Sequence, residues 1–499
     1  MHADASGLFL FAMKKLSRIA GNSIILFWII MLLLLVARNI KLPWKQPLQS
    51  EPAEITIESG EEWAGIYFKE KKAGYTRTMR QRTSTGYQFT EQAVMNLAMM
   101  GVPQRIATRL SAETDKDFQL RTFDFSLASG IVTFTVSGTV KGKTVYIKTG
   151  SGTMVRETSI TLPDVPSLES SLKWSMMRAG LNPGQKIAKE IFDPITMSNR
   201  TITAEVEAVE DISVRGTREL CFRIRQTFNG ITVYSWLNQK GETVKEESPM
   251  GFLMQKEPRA IALRGIDESK QVDIVSATGI KVSAPIAKKH LTYLKIKLKN
   301  VSLEGLTLNS NRQKKTGDIL EIHLEKLTKS DTFSIPFQQQ GFKDFLAPSP
   351  FIQSDDKNIA AAARSIIGTE TDAQAAAKLL CAWVYNTIEK APTMSIPRAA
   401  DVLRLKRGDC NEHAVLYAAL CRAAGIPAKT IAGIVYLDGS FYYHAWVEIY
   451  LGKWIAVDPT MNQIPADATH IKFVEGELDK QLLLLSIVGK IAVDVLEYS

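Results

Sequence analysis

The chain has 499 residues, enough for two or three domains with ample cores. Its 45% hydrophobic and 23% charged content is that of a globular protein. The net charge of +9 is mild and no basic block concentrates it, so nothing supports nucleic-acid binding, while attraction to an anionic membrane or cell-wall polymer stays open.

The first element is an apolar run, Ser23–Ala37, that contains no charge. Lys14, Lys15 and Arg18 precede it; Arg38, Lys41 and Lys45 follow. With Ile19–Asn22 it approaches the ~20 residues of a membrane span. No small-residue cleavage site follows, which predicts an uncleaved signal anchor. Residues 1–45 are therefore read as a cytoplasmic tail and membrane anchor. The short tail before a large body places that body on the periplasmic or extracytoplasmic side. Lys41–Ala53, with Pro43, Pro47 and Pro52, reads as a linker.

Residues 46–265 read as an antiparallel β-rich domain. Ala64–Phe68, Gly74–Met79, Tyr87–Val94, Phe118–Ser126, Ile131–Val140 and Lys143–Lys148 alternate as strands between Gly or charged turns. Ser167–Ala179 is a predicted helix, stopped at Leu181-Asn182-Pro183-Gly184. Strands resume at Thr201–Val209, Cys221–Thr227, Gly230–Leu237 and Thr243–Glu247. The pattern predicts a long curved sheet wrapped on a helix, and in pattern alone it is similar to bacterial envelope lipoprotein-carrier-like folds. It serves either as a spacer or docking domain, or as a site for a lipid, glycan or peptide in its concave face. Residues 266–345 read as a small β domain or linker, with strands at Leu291–Leu298, Ile319–Leu324 and Thr332–Pro336.

Residues 346–475 carry the chemistry. A helix capped by Ser354 runs to Ile367, and Thr371 with Gln374 makes a capping box for Asp372–Glu389. A short helix, Pro397–Lys406, delivers the chain to Gly408. Asp409 is a good N-cap, Glu412 completes a capping-box pattern, and Gly425-Ile426-Pro427 ends the next helix. Cys410 therefore sits in a helical first turn, where free N–H groups and the dipole favour a thiolate. Ala428–Asp438, Phe441–Tyr450 and Trp454–Val457 read as strands joined by turns. Period two puts Tyr442, His444, Trp446 and Glu448 on one face. Folding about Leu451–Lys453 sets Asp458 opposite His444 or diagonal to it, roughly 5–8 Å away between Cβ atoms. Nucleophile, base and orienting acid result: Cys410, His444 and Asp458.

Four segments in order, Gly-Asp-Cys at 408–410, Gly-Ile-Pro at 425–427, His-Ala-Trp-Val-Glu at 444–448 and Val-Asp-Pro-Thr at 457–460, resemble the transglutaminase-like superfamily of papain-type fold. The resemblance covers about residues 350–475 and implies that Cys410 is the nucleophile, His444 the general base and Asp458 the orienting acid. It also implies a thioester with a glutamine or peptide carbonyl, resolved by an amine or by water. Ile396 stands where animal transglutaminases carry a tryptophan beside the oxyanion. The Cys410 amide is one oxyanion donor; the second is unassigned. No acidic loop has calcium-ligand spacing, and no Cys/His spacing suggests a metal, so no cofactor is expected.

The other polar candidates weigh less. His413, three residues beyond Cys410, is the rival base and reads as a supporting group. His290, His323 and His470 lack partners in the sequence and read as ordinary histidines. Cys381 and Cys421 are buried small hydrophobes or a disulfide, and Cys221 is a core strand residue. Trp446 and Trp454 read as core, and Glu448 as solvent-facing or a structural pair. Residues 476–499 read as a docking extension, with Leu482–Leu485 a short helix and Ile491–Leu496 a strand.

The expected molecule is α+β: an N-terminal transmembrane helix, a large antiparallel β-rich domain, a small β unit and a C-terminal transglutaminase-like domain. The expected function is a membrane-anchored thiol acyl-transfer enzyme or hydrolase acting on glutamine carboxamide or peptide bonds. Its partners would be a protein or peptide substrate, the membrane, and a cell-wall or envelope component, with no nucleic acid. The alternative is a non-catalytic binding or assembly module of the cell envelope.

Overall fold

The computed structural model describes residues 57–151, 154–248, 250–265, 271–282 and 285–499. The predicted tail, anchor and linker lie outside them. Among the described residues no helix is long and apolar enough to cross a membrane.

Fourteen antiparallel strands of the described chain, between Gly60 and Lys256, form one sheet. One meander steps from Gly60–Phe68 to Met154–Thr161, and the other from Phe252–Lys256 to Lys186–Asp193. Pairing of Gly60–Phe68 with Phe252–Lys256 joins them, with Ile66 opposite Met254. The helix Glu169–Arg178 buries Leu172, Trp174, Met176 and Met177. Phe89, Phe125, Ile224 and Met254 from both meanders line a cavity of about 600 Å³ together with Trp174. The sheet is therefore curled, with the helix on its inner side. Val102–Asp115 is a strand that the sequence does not announce. It carries Arg105, Arg109 and Glu113, and only Ile106, Ala112 and Thr114 are buried, so its alternation is faint.

The smaller sheet contains Tyr293–Lys299, Gln313–Thr316 and Ile319–His323. Its fourth strand is the end of the chain: Ala492–Tyr498 pairs with Tyr293–Lys299, so Leu298 faces Val493. Thr332–Pro336, expected as a strand, is a loop bearing one isolated bridge from Ser334 to Asp372.

The helices that lead to the site are α1 (Lys357–Ile367), α2 (Ala373–Thr387), α3 (Ala399–Leu405) and α4 (Cys410–Ala423). Two caps differ from expectation. Asp356, not Ser354, caps α1 by accepting from the amides of Asn358 and Ile359. Asp372, not Thr371, caps α2 by accepting from Ala375. A carboxylate one or two residues nearer the first turn reaches the free amides better and meets the positive dipole end. On α2 Ala376, Ala377, Leu380, Cys381 and Val384 are buried, while Leu379 is exposed. α4 is apolar nearly all round because it is central: Ala414, Leu416, Tyr417, Ala418, Ala419 and Leu420 are all buried.

Four strands follow: β1 (Ala428–Leu437), β2 (Ser440–Tyr450), β3 (Trp454–Val457) and β4 (Ile471–Glu475). β2 pairs with β1 and β3, and β1 also pairs with β4, all antiparallel. Ala445, Val447, Ile449, Ile455 and Val457 join a core shared with α1–α4. Ile434, Phe441, Ile471 and Phe473 join a second core shared with the smaller sheet. The strands that hold the base and lead to the acid are thus anchored in two apolar cores. Each fully buried Leu, Ile, Val or Phe there contributes about 1.5–3 kcal/mol.

Candidate active site

Cys410 opens α4 because both halves of a capping box form. The Asp409 carboxylate accepts from the Asn411 amide at 2.8 Å, and the Glu412 carboxylate accepts from the Asp409 amide at 2.9 Å. The Ser395 hydroxyl holds the other Glu412 oxygen at 2.5 Å. Gly408 is required here. A Cβ at 408 would lie 2.3 Å from the Glu412 Cβ and push the box apart.

The Cys410 side chain is half-buried. It packs against the core that contains Ala445, the residue directly after His444. Burial pushes the thiol's pKa well above the usual thiol range, and the nearby Asp409 and Glu412 carboxylates add to this. The Ala445 amide works in the opposite direction. The expected low-pKa thiolate is therefore corrected. The N-terminal dipole is present, but burial first, and then the carboxylates that cap the helix, work against it.

His444 sits on β2, opposite Gly433 of β1. Val447 faces Val457 across β2 and β3, so Asp458, one residue beyond β3, lies diagonal to His444. The His444 Nε2 and Asp458 Oδ2 are 2.8 Å apart. Since an ionised carboxylate only accepts, Nε2 carries the proton, and Nδ1 is left with the lone pair. Asp458 is completely buried and has further donors. The amides of Thr460 and Met461 reach its Oδ1 at 2.7 and 3.2 Å. Burial works to raise this carboxyl. The charge and hydrogen bonds of two imidazoles outweigh it and hold the group well below the usual carboxylate range.

The second imidazole belongs to His470, which the sequence reading passes over as an ordinary histidine. It is completely buried, with Nε2 3.0 Å from Asp458 Oδ2 and Nδ1 3.2 Å from Asp467 Oδ1. The Asp467–His470 spacing of three residues was the available signal. The link to Asp458 crosses a loop and left no sequence pattern.

The remaining candidates are structural. His413 is completely buried, and its Nδ1 is turned to the Asp409 carbonyl at 2.7 Å. Burial lowers its pKa. Glu448 does not face solvent; it is buried and paired with Lys472 at 2.8 Å and Lys429 at 3.1 Å. Trp446 is buried beside both imidazoles, its ring 6.2 Å from His444 and 5.3 Å from His470. Trp454 lies under the Lys429 ammonium and against Phe345. Cys221, Cys381 and Cys421 are buried free thiols, with no bond between Cys381 and Cys421. Ile396 is buried in the cluster that contains Phe123, Phe134 and Phe192 of the large sheet. That position serves packing between the sheet and the segment before Cys410.

The ligand atoms of His444, Asp458 and His470 lie within 4.8 Å of one another, a spacing that a metal ion can also use. Here both Nε2 atoms meet the same oxygen at hydrogen-bond distance, and Oδ1 is committed to two amides. The cluster is closed by its own hydrogen bonds, and we do not read these three as metal ligands.

Residues 360–459 match the family model of the transglutaminase-like superfamily, and this part of the chain is a transglutaminase-like domain. Mouse kyphoscoliosis peptidase is 33% identical over 87 residues, 15% of this chain and 13% of that protein. The human protein of the same name is 32% identical over 87 residues, with the same shares. The chain thus spans only 13% of the length of these relatives. Among solved structures, a Cytophaga hutchinsonii protein suggested to be a cysteine protease is 20% identical, with 42% of this chain and 86% of that chain covered and a TM-score of 0.28. A beta-barrel-like protein of a domain of unknown function from Brucella abortus is 8% identical, covers 41% of this chain and 96% of its own, and has a TM-score of 0.32. Both TM-scores are too low to equate whole folds.

Proposed function

We propose that Cys410, His444 and Asp458 form the catalytic triad of a thiol acyl-transfer enzyme or hydrolase that acts on glutamine carboxamide or peptide bonds. The observation that supports it most is His444 Nε2 on Asp458 Oδ2 at 2.8 Å, with Cys410 packed against the same core as Ala445, the residue after His444. In the proposed cycle His444 Nδ1 takes the thiol proton as sulfur attacks the carbonyl carbon. Because burial and two carboxylates keep the thiol protonated, this transfer accompanies attack rather than preceding it. The C–N bond breaks, and the proton on Nδ1 goes to the departing ammonia or amine. Water or an amine then adds to the thioester and gives a proton to Nδ1, the C–S bond breaks, and that proton passes to sulfur. Asp458 holds the imidazole and balances its charge throughout.

The test is product analysis on glutamine-containing peptides, with and without an added primary amine. Ammonia release with amine incorporation means cross-linking, and chain cleavage or plain deamidation means hydrolysis. A Cys410→Ala protein that keeps full activity sinks the triad. The raised thiol favours one rival, a non-catalytic envelope-binding module, for which no variant of Cys410 or His444 alters any acyl chemistry. We also propose a membrane-tethered, extracytoplasmic setting, supported by the apolar run at 23–37. Loss of membrane association on deleting residues 1–45 is the check.

A further inference from the structure

The hydrogen bonds around His470 fix its charge. Asp458 Oδ2 accepts from the Nε2 of both His444 and His470, so each Nε2 carries a proton. Across the ring, His470 Nδ1 faces Asp467 Oδ1, which also accepts from the Thr469 amide at 3.0 Å and its hydroxyl at 2.5 Å. An oxygen that only accepts needs a proton on Nδ1 as well. With both nitrogens protonated, the ring is an imidazolium.

We propose that His470 is a positioning residue of the acyl-transfer site: a standing imidazolium, clamped between Asp467 and Asp458, that shares Asp458 Oδ2 with His444 and so sets how strongly that carboxylate acts on the base. The inference rests on the proposed triad. The groups facing His470 are Asp458, Asp467 and the rings of His444 and Trp446, at 5.8 and 5.3 Å. Exposed His290 lies 3.8 Å from Asp467. Arg312, paired with Glu325, donates to the carbonyls of Ala466 and Asp467 and fixes the loop. Burial opposes a charge on His470, but the two carboxylates outweigh it and its pKa is raised.

The row Asp467, His470, Asp458, His444 therefore has two anions and one fixed cation in the resting state. It becomes neutral when His444 holds the proton taken from Cys410. Without His470, Asp458 would face His444 with its whole charge. Protons near it would be held more tightly, and the base would release its own less readily.

The experiment is a pH titration of the full-length protein labelled with 15N-histidine, together with iodoacetamide alkylation of Cys410 read by mass spectrometry. The expected spectrum contains one imidazole, absent in His470→Gln, whose two nitrogens stay protonated where exposed histidines, with pKa values of about 6.5, have titrated. In Asp467→Asn the same imidazole keeps Asp458 but titrates at lower pH. Gln keeps a neutral N–H donor for Asp458, so a purely structural role would leave the pH profile in place. We expect instead that the acid limb of alkylation moves up by about 1 pH unit in His470→Gln. A His470 that is neutral at neutral pH overturns the inference, as does an acid limb unmoved in His470→Gln; either leaves the triad standing. A Cys410 that responds identically in wild type and His444→Ala removes the triad, and the role of His470 falls with it. Should His470→Gln fail to fold, the Asp467→Asn titration alone decides the charge.

Discussion

Asp458 has no freedom left: two amides and two imidazoles occupy its oxygens, and its backbone N–H and C=O both pair with Gln463. Asp467 beside it is held down to about 2, by His470 and Thr469 working against burial. Both carboxyls are depressed, so their contribution is complete above the unfolded value of about 3.9 and is lost as pH falls through the folded values. For Asp467 alone this is about 2 kcal/mol, lost between about pH 4 and 2. His470 has the opposite sign. Its raised pKa stabilises below about 6.5, and that contribution fades as pH rises through the folded value. Melting temperatures measured across pH should fall steeply in acid for the wild type and less steeply for Asp467→Asn. An unchanged acid slope in the variant would mean that Asp467 is not held as described. Cys410, His444 and Asp458 were readable because each sits at a fixed place on a recognisable element. His470 was not, because its partner lies across a loop and no strand alternation marks it.

At the scale of elements, the helix that presents Cys410 also restrains it. The carboxylates of Asp409 and Glu412 that make the capping box stand within a turn of the sulfur. Cap and nucleophile therefore conflict, and the conflict can be separated by mutation. Asn caps about as well as Asp, so Asp409→Asn should change stability by only a few tenths of a kcal/mol, whereas Asp409→Ala should cost about 1 kcal/mol. Burial and the neighbouring Glu412 push the Asp409 carboxyl well above the usual carboxylate range, so its charge weighs on the thiol only above that raised value; there both variants should speed alkylation of Cys410, by about tenfold for each pKa unit released. Equal alkylation rates in wild type and both variants would show that burial alone holds the thiol. The sequence announced the box from Asp409 and Glu412. It did not announce the conflict, because the effect of a carboxylate on a thiol depends on how dry the site is. The same distinction holds elsewhere. Strong alternation such as Val132–Lys141 was legible, while Val102–Asp115, with charges on its exposed face and little buried, was not.

On the scale of the whole molecule, the smaller sheet is part of the site's foundation rather than a bystander. Its Leu294, Ile296, Leu320 and Ile322 share a core with Ile434, Phe441, Ile471 and Phe473 from strands β1, β2 and β4. The Leu291 carbonyl accepts from Ala468 at 2.9 Å, inside the loop that delivers His470. That sheet is completed by the last strand of the chain, Ala492–Tyr498, which buries Val493 next to Ile491. Ending the chain at Lys490 removes both side chains, at about 1.5–3 kcal/mol each, and leaves Tyr293–Lys299 without its neighbour. The loss should lower the melting temperature by several degrees, since 1 kcal/mol shifts a midpoint by about 2–4 °C in larger domains. It should also reach the thiol. With the loop around His470 loosened, the pH profile of Cys410 alkylation should move toward that of a free thiol of pKa about 8.5. A truncated protein that melts early but keeps the wild-type alkylation profile would separate the two effects. The smaller sheet would then carry stability alone, and the strands β1–β4 with the layer of helices would suffice to hold Cys410, His444 and Asp458 in place.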